Sequence, residues 1–272
     1  MKDRIDNILV KKGYFSSRQK AKYAIEIGNV YVENKLIEKS SKMIEEDSKI
    51  EIRGESLPFV SRGGLKLDKA VNVFDINLKD KVCMDIGAST GGFTDCMLQN
   101  GTKKVYAVDV GHGQLDEKLK NDNRVINLEG TNIRNIKTDK IEKMDFISID
   151  VSFISLTQVL DTAYELLLEN SEMVVLIKPQ FEAGTEYINK NGVVKDKKVH
   201  LKVIEKIMLF ANSLGFEILN LDYSPIKGPA GNIEYLLHLK KKKGNLELFK
   251  IRELIKKAVE TTHKELKKEK NI

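Results

Sequence analysis

The stretch Lys81–Asp95, KVCMDIGASTGGFTD, constrains this chain more than any other. A short β-rich apolar run (Val82, Cys83, Met84, Ile86) ends in Asp85 and a cluster of glycines, and a helix-like segment follows. A strand feeding such a turn lets the backbone approach a ligand, because Gly87, Gly91 and Gly92 carry no side chain. About twenty residues on, a second β-rich run, Lys104–Val108, ends in Asp109, where a carboxylate suits hydrogen bonding to ribose hydroxyls. The turn is not the GxGxxG of NAD enzymes, and no Walker lysine follows it.

Regular alternation surrounds this turn. Helical patterns lie at Ser61–Phe74, Thr94–Asn100, Gln114–Leu119, Ser155–Leu168 and Asp196–Leu214. Strand patterns lie at Lys104–Val108, Arg124–Leu128, Phe146–Ile149, Val174–Ile177, Glu217–Leu221 and Glu234–Leu239. Strands alternating with helices predict an α/β fold with a parallel sheet wound on both faces. Only Tyr223–Asn232, with two prolines, separates the last two strands, so they pair as a hairpin and the final strand runs antiparallel.

Ahead of this body, Ile5, Ile8 and Leu9 recur at helical spacing and stop at Gly13. Ser16 or Ser17 caps a second helix carrying Ala21, Ala24 and Ile25 and ended by Gly28. Short β runs follow at Val30–Val32 and Lys49–Ile52, with a turn at Glu33–Lys35. In Arg4-Ile-Asp6, Leu9, Gly13, Ser17-Arg18, Ala21, Ile25 and Gly28-x-Val30-x-Val32 this unit resembles the S-four-like RNA-binding module, a small α+β domain. The resemblance implies that Arg4, Arg18, Lys20 and Lys22 meet RNA phosphates, contacts that position a protein without reading sequence. Gly54–Phe59, with Pro58, reads as a linker, which gives domains at 1–59 and 60–272.

Charge supports that division. Residues 1–60 carry 12 Lys/Arg against 10 Asp/Glu, residues 61–239 carry 22 against 25, and residues 240–272 carry 12 against 5. A slightly acidic body flanked by basic ends suits a polyanionic partner, and also a solvated surface. The tail holds an amphipathic helix with Leu248, Ile251, Ile255 and Val259 on one stripe, expected to pack on the body.

Ligands of open α/β sheets bind over the carboxyl ends of the parallel strands. Asp150 and Lys178 end two of those strands. Glu234 starts the antiparallel one, and Lys66 lies near the start of the helix feeding the first strand, so topology brings all four to one edge. Transfer of a group to a hydroxyl asks for proximity and for a base that takes the proton as the bond forms, worth roughly 10²–10⁴ in rate. Desolvation and a neighbouring cation make an amine a better base, while neighbouring carboxylates oppose this but orient it.

The loop Asp85-x-Gly87-x-Ser89-x-Gly91-Gly92-Phe93 resembles the nucleoside-binding loop of S-adenosylmethionine methyltransferases, and Lys66, Asp150, Lys178 and Glu234 resemble the tetrad of FtsJ-like ribose 2′-O-methyltransferases. With the amino-terminal module attached, the chain resembles the TlyA family over roughly residues 3–240. Supporting stretches are Ser61-Arg-Gly-Gly-Leu-Lys66, Glu129-Gly-Thr-Asn132, Asp150-Val-Ser-Phe153, Ile177-Lys178-Pro-Gln-Phe-Glu182 and Gly228-Pro-Ala-Gly-Asn232-Ile-Glu234. The resemblance implies a Rossmann-like seven-stranded methyltransferase fold and S-adenosylmethionine bound by Asp85, Gly87, Ser89, Gly91, Gly92, Phe93, Asp109 and Asn132. It also implies ribosomal RNA or ribosomal subunits as partner, 2′-O-methylation of cytidine, and Lys178 as general base.

The family also carries the name hemolysin, so a membrane-lytic protein is the rival reading, and a non-catalytic ribosome assembly factor is another. The longest strongly apolar run, near Met173–Ile177, is far short of the ~20 residues a membrane helix needs. Cys83 and Cys96 make no disulfide framework, and a reducing cytoplasm is expected. His112, His200, His238 and His263 are scattered without ligand spacing, so no metal is expected. Phe93 and Phe153 are expected in the core, and Phe181 is placed to stack on a base.

Overall fold

The computed structural model describes residues 1–54, 57–243 and 248–268; the side chains of 248, 249, 263 and 265–268 lie outside the described set, as do residues 55 and 56 of the expected linker. Two compact units divide the chain, Met1–Gly64 and Leu65–Ile272.

In the first unit, β1 (Lys2–Arg4) leads into α1 (Ile5–Lys11) and α2 (Arg18–Glu26), followed by β2 (Val30–Val32), β3 (Lys35–Leu36), β4 (Met43–Glu45) and β5 (Ile50–Ile52). Ser17 caps α2 by accepting the Lys20 amide at 3.3 Å, and Gly28 takes the left-handed backbone that ends it. The sheet β3-β2-β5 is antiparallel throughout. Glu33 and Asn34 both have positive φ, as a tight β2–β3 hairpin turn requires. Ile5, Ile8, Leu9, Ala21, Ile25, Val30 and Ile37 form the core. The β1–β4 pair was not predicted, because three-residue strands carry too few positions to show a period of two.

Helix α3 (Gly63–Val73) starts at the unit boundary and continues into the second unit, where Leu67, Ala70 and Val71 are buried. Then come β6 (Val82–Ile86), α4 (Gly92–Gln99), β7 (Lys104–Asp109), α5 (Glu117–Lys120), β8 (Val125–Glu129), β9 (Met144–Ile149), α6 (Leu160–Leu166), β10 (Leu167–Ile177), α7 (Pro179–Glu182), α8 (Lys197–Leu214), β11 (Phe216–Tyr223), β12 (Tyr235–Lys241) and α9 (Leu248–Lys268). The seven-stranded sheet has the order β11-β12-β10-β9-β6-β7-β8. Six strands run in one direction, and β12 inserts antiparallel between β10 and β11, as the missing crossover helix predicts.

Two helices are shorter than the sequence pattern. Gln114 and Leu115 give their amides to Glu129 Oε1 at 2.5 and 3.0 Å, which holds them in a loop until Asp116 caps α5. The expected helix over Ser155–Leu168 begins with a 3₁₀ turn, because Glu182 takes the Ser155 hydroxyl and the Leu156 amide. It ends early because β10 starts at Leu167. Ile251, Ile255 and Val259 join the main core and lay α9 against α8 and β11, whereas the side chain of Leu248 lies outside the described residues.

Candidate active site

Four loops converge over the carboxyl ends of β6, β7 and β9, enclosing a cleft of about 420 Å³, within the usual range for small-molecule sites. Gly87, Ser89, Asp109 and Asn132 line it, together with Asp150, Ser152 and Phe153. The turn after β6 is tied to the end of β7: Gly87 and Ala88 donate to the Val108 carbonyl, and the Ser89 amide donates to Asp109 Oδ2 at 2.8 Å. Gly87 has φ +86°, and a Cβ there would sit 2.5 Å from the Asp150 carbonyl oxygen. Only glycine admits this crossing of loops.

Asp109 accepts a second amide, that of Gly111, at 2.7 Å, and a carboxylate has about four acceptor positions, so capacity remains for a diol. Asn132 holds the Arg134 amide at 3.1 Å through Oδ1. Acceptors at Asp109, an amide at Asn132 and apolar walls from Ile86, Val108 and Ile133 fit an adenosine group.

The other four expected donor-binding residues do not line the cleft. Asp85 is fully buried beneath the turn, where Oδ2 accepts the Thr94 amide at 2.9 Å and the Thr94 hydroxyl at 2.7 Å, and Oδ1 accepts the Ser148 hydroxyl. Burial pushes its carboxyl up to about 7, against these hydrogen bonds. Gly91, with φ +94°, faces Leu119 and Leu115, and a Cβ would meet Leu119 Cδ1 at 2.2 Å. Gly92 and Phe93 are buried at the start of α4. These four shape the loop from behind.

At the cleft's edge the ionisable residues meet. Asp150, just past β9, reaches Lys178 Nζ at 2.5 Å through Oδ1 and Lys66 Nζ at 3.3 Å through Oδ2. The Lys178 contact is a close approach without hydrogen-bond geometry, and Oδ1 is buried. Lys66 also donates to Glu234 Oε2 at 2.8 Å, and Glu234 is 1% exposed. Burial alone would lower the Lys66 pKa, but Asp150 and Glu234 outweigh it and hold the ammonium above its usual value. Burial likewise opposes ionisation of Asp150, and the two lysines overcome that and lower its pKa. The cluster therefore holds a fixed ammonium, two carboxylates and a second amine beside the cleft.

Three contributors were not predicted as site residues. Ser152 Oγ accepts from Lys178 Nζ at 3.0 Å. Gln180 Nε2 donates to Glu234 Oε1 at 3.1 Å. Gly228 leaves room for that carboxylate, since a Cβ would lie 2.6 Å from Glu234 Oε1. Each sits inside a motif quoted above, yet no single-residue signal marks them.

Phe153, expected in the core, is instead 91% exposed with φ +64°, its ring 4.9 Å from that of Phe181. The left-handed backbone at Phe153 interrupts the extended path after β9 and goes with the outward phenyl ring.

In the amino-terminal unit, Arg4 grips the buried Asp6 through Nε and Nη2, both at 3.0 Å, and Arg18 Nη2 reaches the same carboxylate at 2.9 Å. Burial raises the Asp6 pKa, but these hydrogen bonds prevail and bring it down to about 2. Both guanidiniums remain partly exposed. Lys20 and Lys22 lie half-buried on α2.

Comparison with known proteins adds the following. Residues 59–241 match the FtsJ-like methyltransferase family, and residues 3–50 match the S4 domain. A Bacillus subtilis protein, YqxC, provisionally named an rRNA methyltransferase, is 45% identical over 99% of this chain and 97% of its own length. The 16S/23S rRNA (cytidine-2′-O)-methyltransferase TlyA of Mycobacterium tuberculosis is 37% identical over 87% of this chain and 89% of its own. A solved structure from Streptococcus thermophilus, provisionally named a hemolysin, is 43% identical, with a TM-score of 0.78 over 100% of this chain and 99% of that one. Among the described residues, no helix is long and apolar enough to cross a membrane, and no group of three or more His, Cys, Asp or Glu could hold a metal ion.

Proposed function

The chain belongs to the FtsJ-like methyltransferase family and carries an S4 domain ahead of it, and on that footing we propose that it methylates the ribose 2′-hydroxyl of a cytidine in ribosomal RNA. The methyl donor is S-adenosylmethionine, which supplies a methyl group on a positively charged sulfur, open to in-line displacement. Gly87, Ser89, Asp109 and Asn132 hold its adenosine portion.

Lys178 removes the proton from the sugar hydroxyl. Lys66 is not the base, because Asp150 and Glu234 keep it protonated. Lys178 lies on the other side of Asp150, with its Nζ at the edge of the cleft. Asp150 aims both amines, and Glu234, fixed by Gln180, locks Lys66. Phe153 and Phe181 offer an exposed aromatic pair to the target base. Arg4 and Arg18 take RNA phosphates, with Lys20 and Lys22 beside them. Such a substrate places the protein in the cytoplasm.

The observation that carries this reading is Asp150 held between two lysines at the mouth of a nucleoside-sized cleft. The test is methyl transfer from labelled donor to unmodified ribosomal subunits, with the product mapped to base or ribose. Label on ribose that disappears in Lys178→Ala supports the assignment; label on a base, or undiminished label in that variant, ends it.

A further inference from the structure

Ser152 is an exposed serine that lines the cleft, yet its hydroxyl is engaged from behind by Lys178 Nζ at 3.0 Å. The same Nζ lies 2.5 Å from Asp150 Oδ1. A neutral amine has two N–H groups and one lone pair arranged tetrahedrally around nitrogen. The Asp150 contact lacks hydrogen-bond geometry, so by itself it leaves the lone pair any staggered position about the last carbon–nitrogen bond. The hydrogen bond to Ser152 fixes one N–H and narrows that choice.

We propose that Ser152 is a positioning residue for methyl transfer: its hydroxyl takes one Nζ–H of Lys178 while the Asp150 carboxylate holds the same nitrogen close, so that the lone pair is confined to the directions left open. This rests on Lys178 being the base. In the step it serves, the sugar hydroxyl gives its proton to Lys178 Nζ and its oxygen forms a bond to the methyl carbon. The sulfur–methyl bond breaks with its electron pair staying on sulfur, and S-adenosylhomocysteine departs. Ser152 neither gains nor loses a proton. Its effect is on the fraction of bound complexes in which the base faces the hydroxyl, a term of kcat rather than of binding.

The test compares Ser152→Ala, Ser152→Thr and Lys178→Ala, using labelled S-adenosylmethionine and unmodified ribosomal subunits. The expected result for Ser152→Ala is a kcat lowered about two- to tenfold, the rate equivalent of one net hydrogen bond. Both KM values and the thermal midpoint should stay at wild-type levels, and Ser152→Thr, which keeps the hydroxyl, should recover most of the rate. Wild-type kcat in Ser152→Ala, equal losses in the Ala and Thr variants, or a loss carried wholly by KM for donor or RNA would overturn the proposal. If Ser152→Ala is unimpaired while Lys178→Ala is inactive, only the role of Ser152 falls. If Lys178→Ala still methylates at the normal rate, the base assignment falls and the role of Ser152 with it.

Discussion

Lys66 and Glu234, 168 residues apart in the chain, meet at 2.8 Å with the Glu234 carboxylate almost wholly enclosed. Lys66 is also the counter-charge of Asp150. Removing one partner of a buried pair leaves the other charge uncompensated, at a cost of roughly 3–5 kcal/mol. Lys66→Ala takes the ammonium from the buried Glu234 and leaves Asp150 only Lys178, whereas Lys178→Ala leaves both carboxylates paired to Lys66. The Lys66 variant should therefore unfold at clearly lower denaturant than the Lys178 variant, although both lose methyl transfer. Equal midpoints would show that Lys66 does not balance both acids.

Asp85 predicts a pH dependence of stability. Its carboxyl is held at about 7, above the ordinary 3.8. Folding is therefore favoured by this group below about pH 4, and the contribution is lost as pH rises to about 7. Asp85→Asn keeps an acceptor for Thr94 and a donor towards Ser148, with no charge to bury. Its thermal midpoint should exceed wild type at pH 8 and converge with it near pH 4. A variant that melts lower than wild type at pH 8 would mean that Asp85 is charged and needed so.

What was legible in the sequence, and what was not, follows from how far each contact depends on returning loops. Strand ends are written in local patterns, so the topology rule alone gathered Lys66, Asp150, Lys178 and Glu234 to one edge. Gln180 and Ser152 depend on where short loops turn after the strand ends, which no period encodes. Asp85 was expected to touch the ligand from the loop's resemblance to nucleoside-binding loops, but its oxygens are engaged by Thr94 and Ser148. Phe153 was expected inside because phenylalanine usually is; only the left-handed backbone at that position reveals the opposite.

Gly87 tests the donor site. Its φ of +86° and its closeness to the Asp150 carbonyl leave no space for a methyl group. Gly87→Ala should abolish binding of S-adenosylhomocysteine in calorimetry, because the strand turn must move away from Asp109 to accept it. A control at Gly113, which has open space at the Cβ position but φ +66°, carries backbone strain without the clash. Retention of binding in Gly113→Ala and loss in Gly87→Ala would separate loop crossing from strain.

Asp6 joins Arg4 and Arg18 in the amino-terminal unit. Its pKa of about 2 lies below the ordinary 3.8, so its stabilisation is full above about pH 4 and is lost as pH falls toward 2. Asp6→Asn should be less stable than wild type at pH 7, and the gap should narrow in acid. Arg18→Ala should weaken rRNA binding and lower the slope of log affinity against log salt by about 1, as expected for one phosphate contact. An unchanged slope would remove Arg18 from the RNA interface.

Phe153 separates function from stability more cleanly than any other residue of the site. Its ring is 91% exposed, so Phe153→Ala removes little buried surface, and the folding free energy should change by no more than about 0.5 kcal/mol. Its backbone sits at φ +64°, a conformation costing roughly 1–3 kcal/mol for a residue with a side chain. Phe153→Gly should therefore be more stable than wild type. A fold that tolerates both strain and an exposed phenyl ring beside Lys178 is explained if the ring is covered by substrate. Base stacking on an aromatic side chain is worth about 1–3 kcal/mol, so KM for ribosomal subunits should rise roughly 5- to 150-fold in either variant. Binding of S-adenosylhomocysteine should hold if the ring serves the target base. Should KM for RNA stay at the wild-type value while donor binding falls, the ring belongs to the donor cleft that it lines, and the base is held elsewhere.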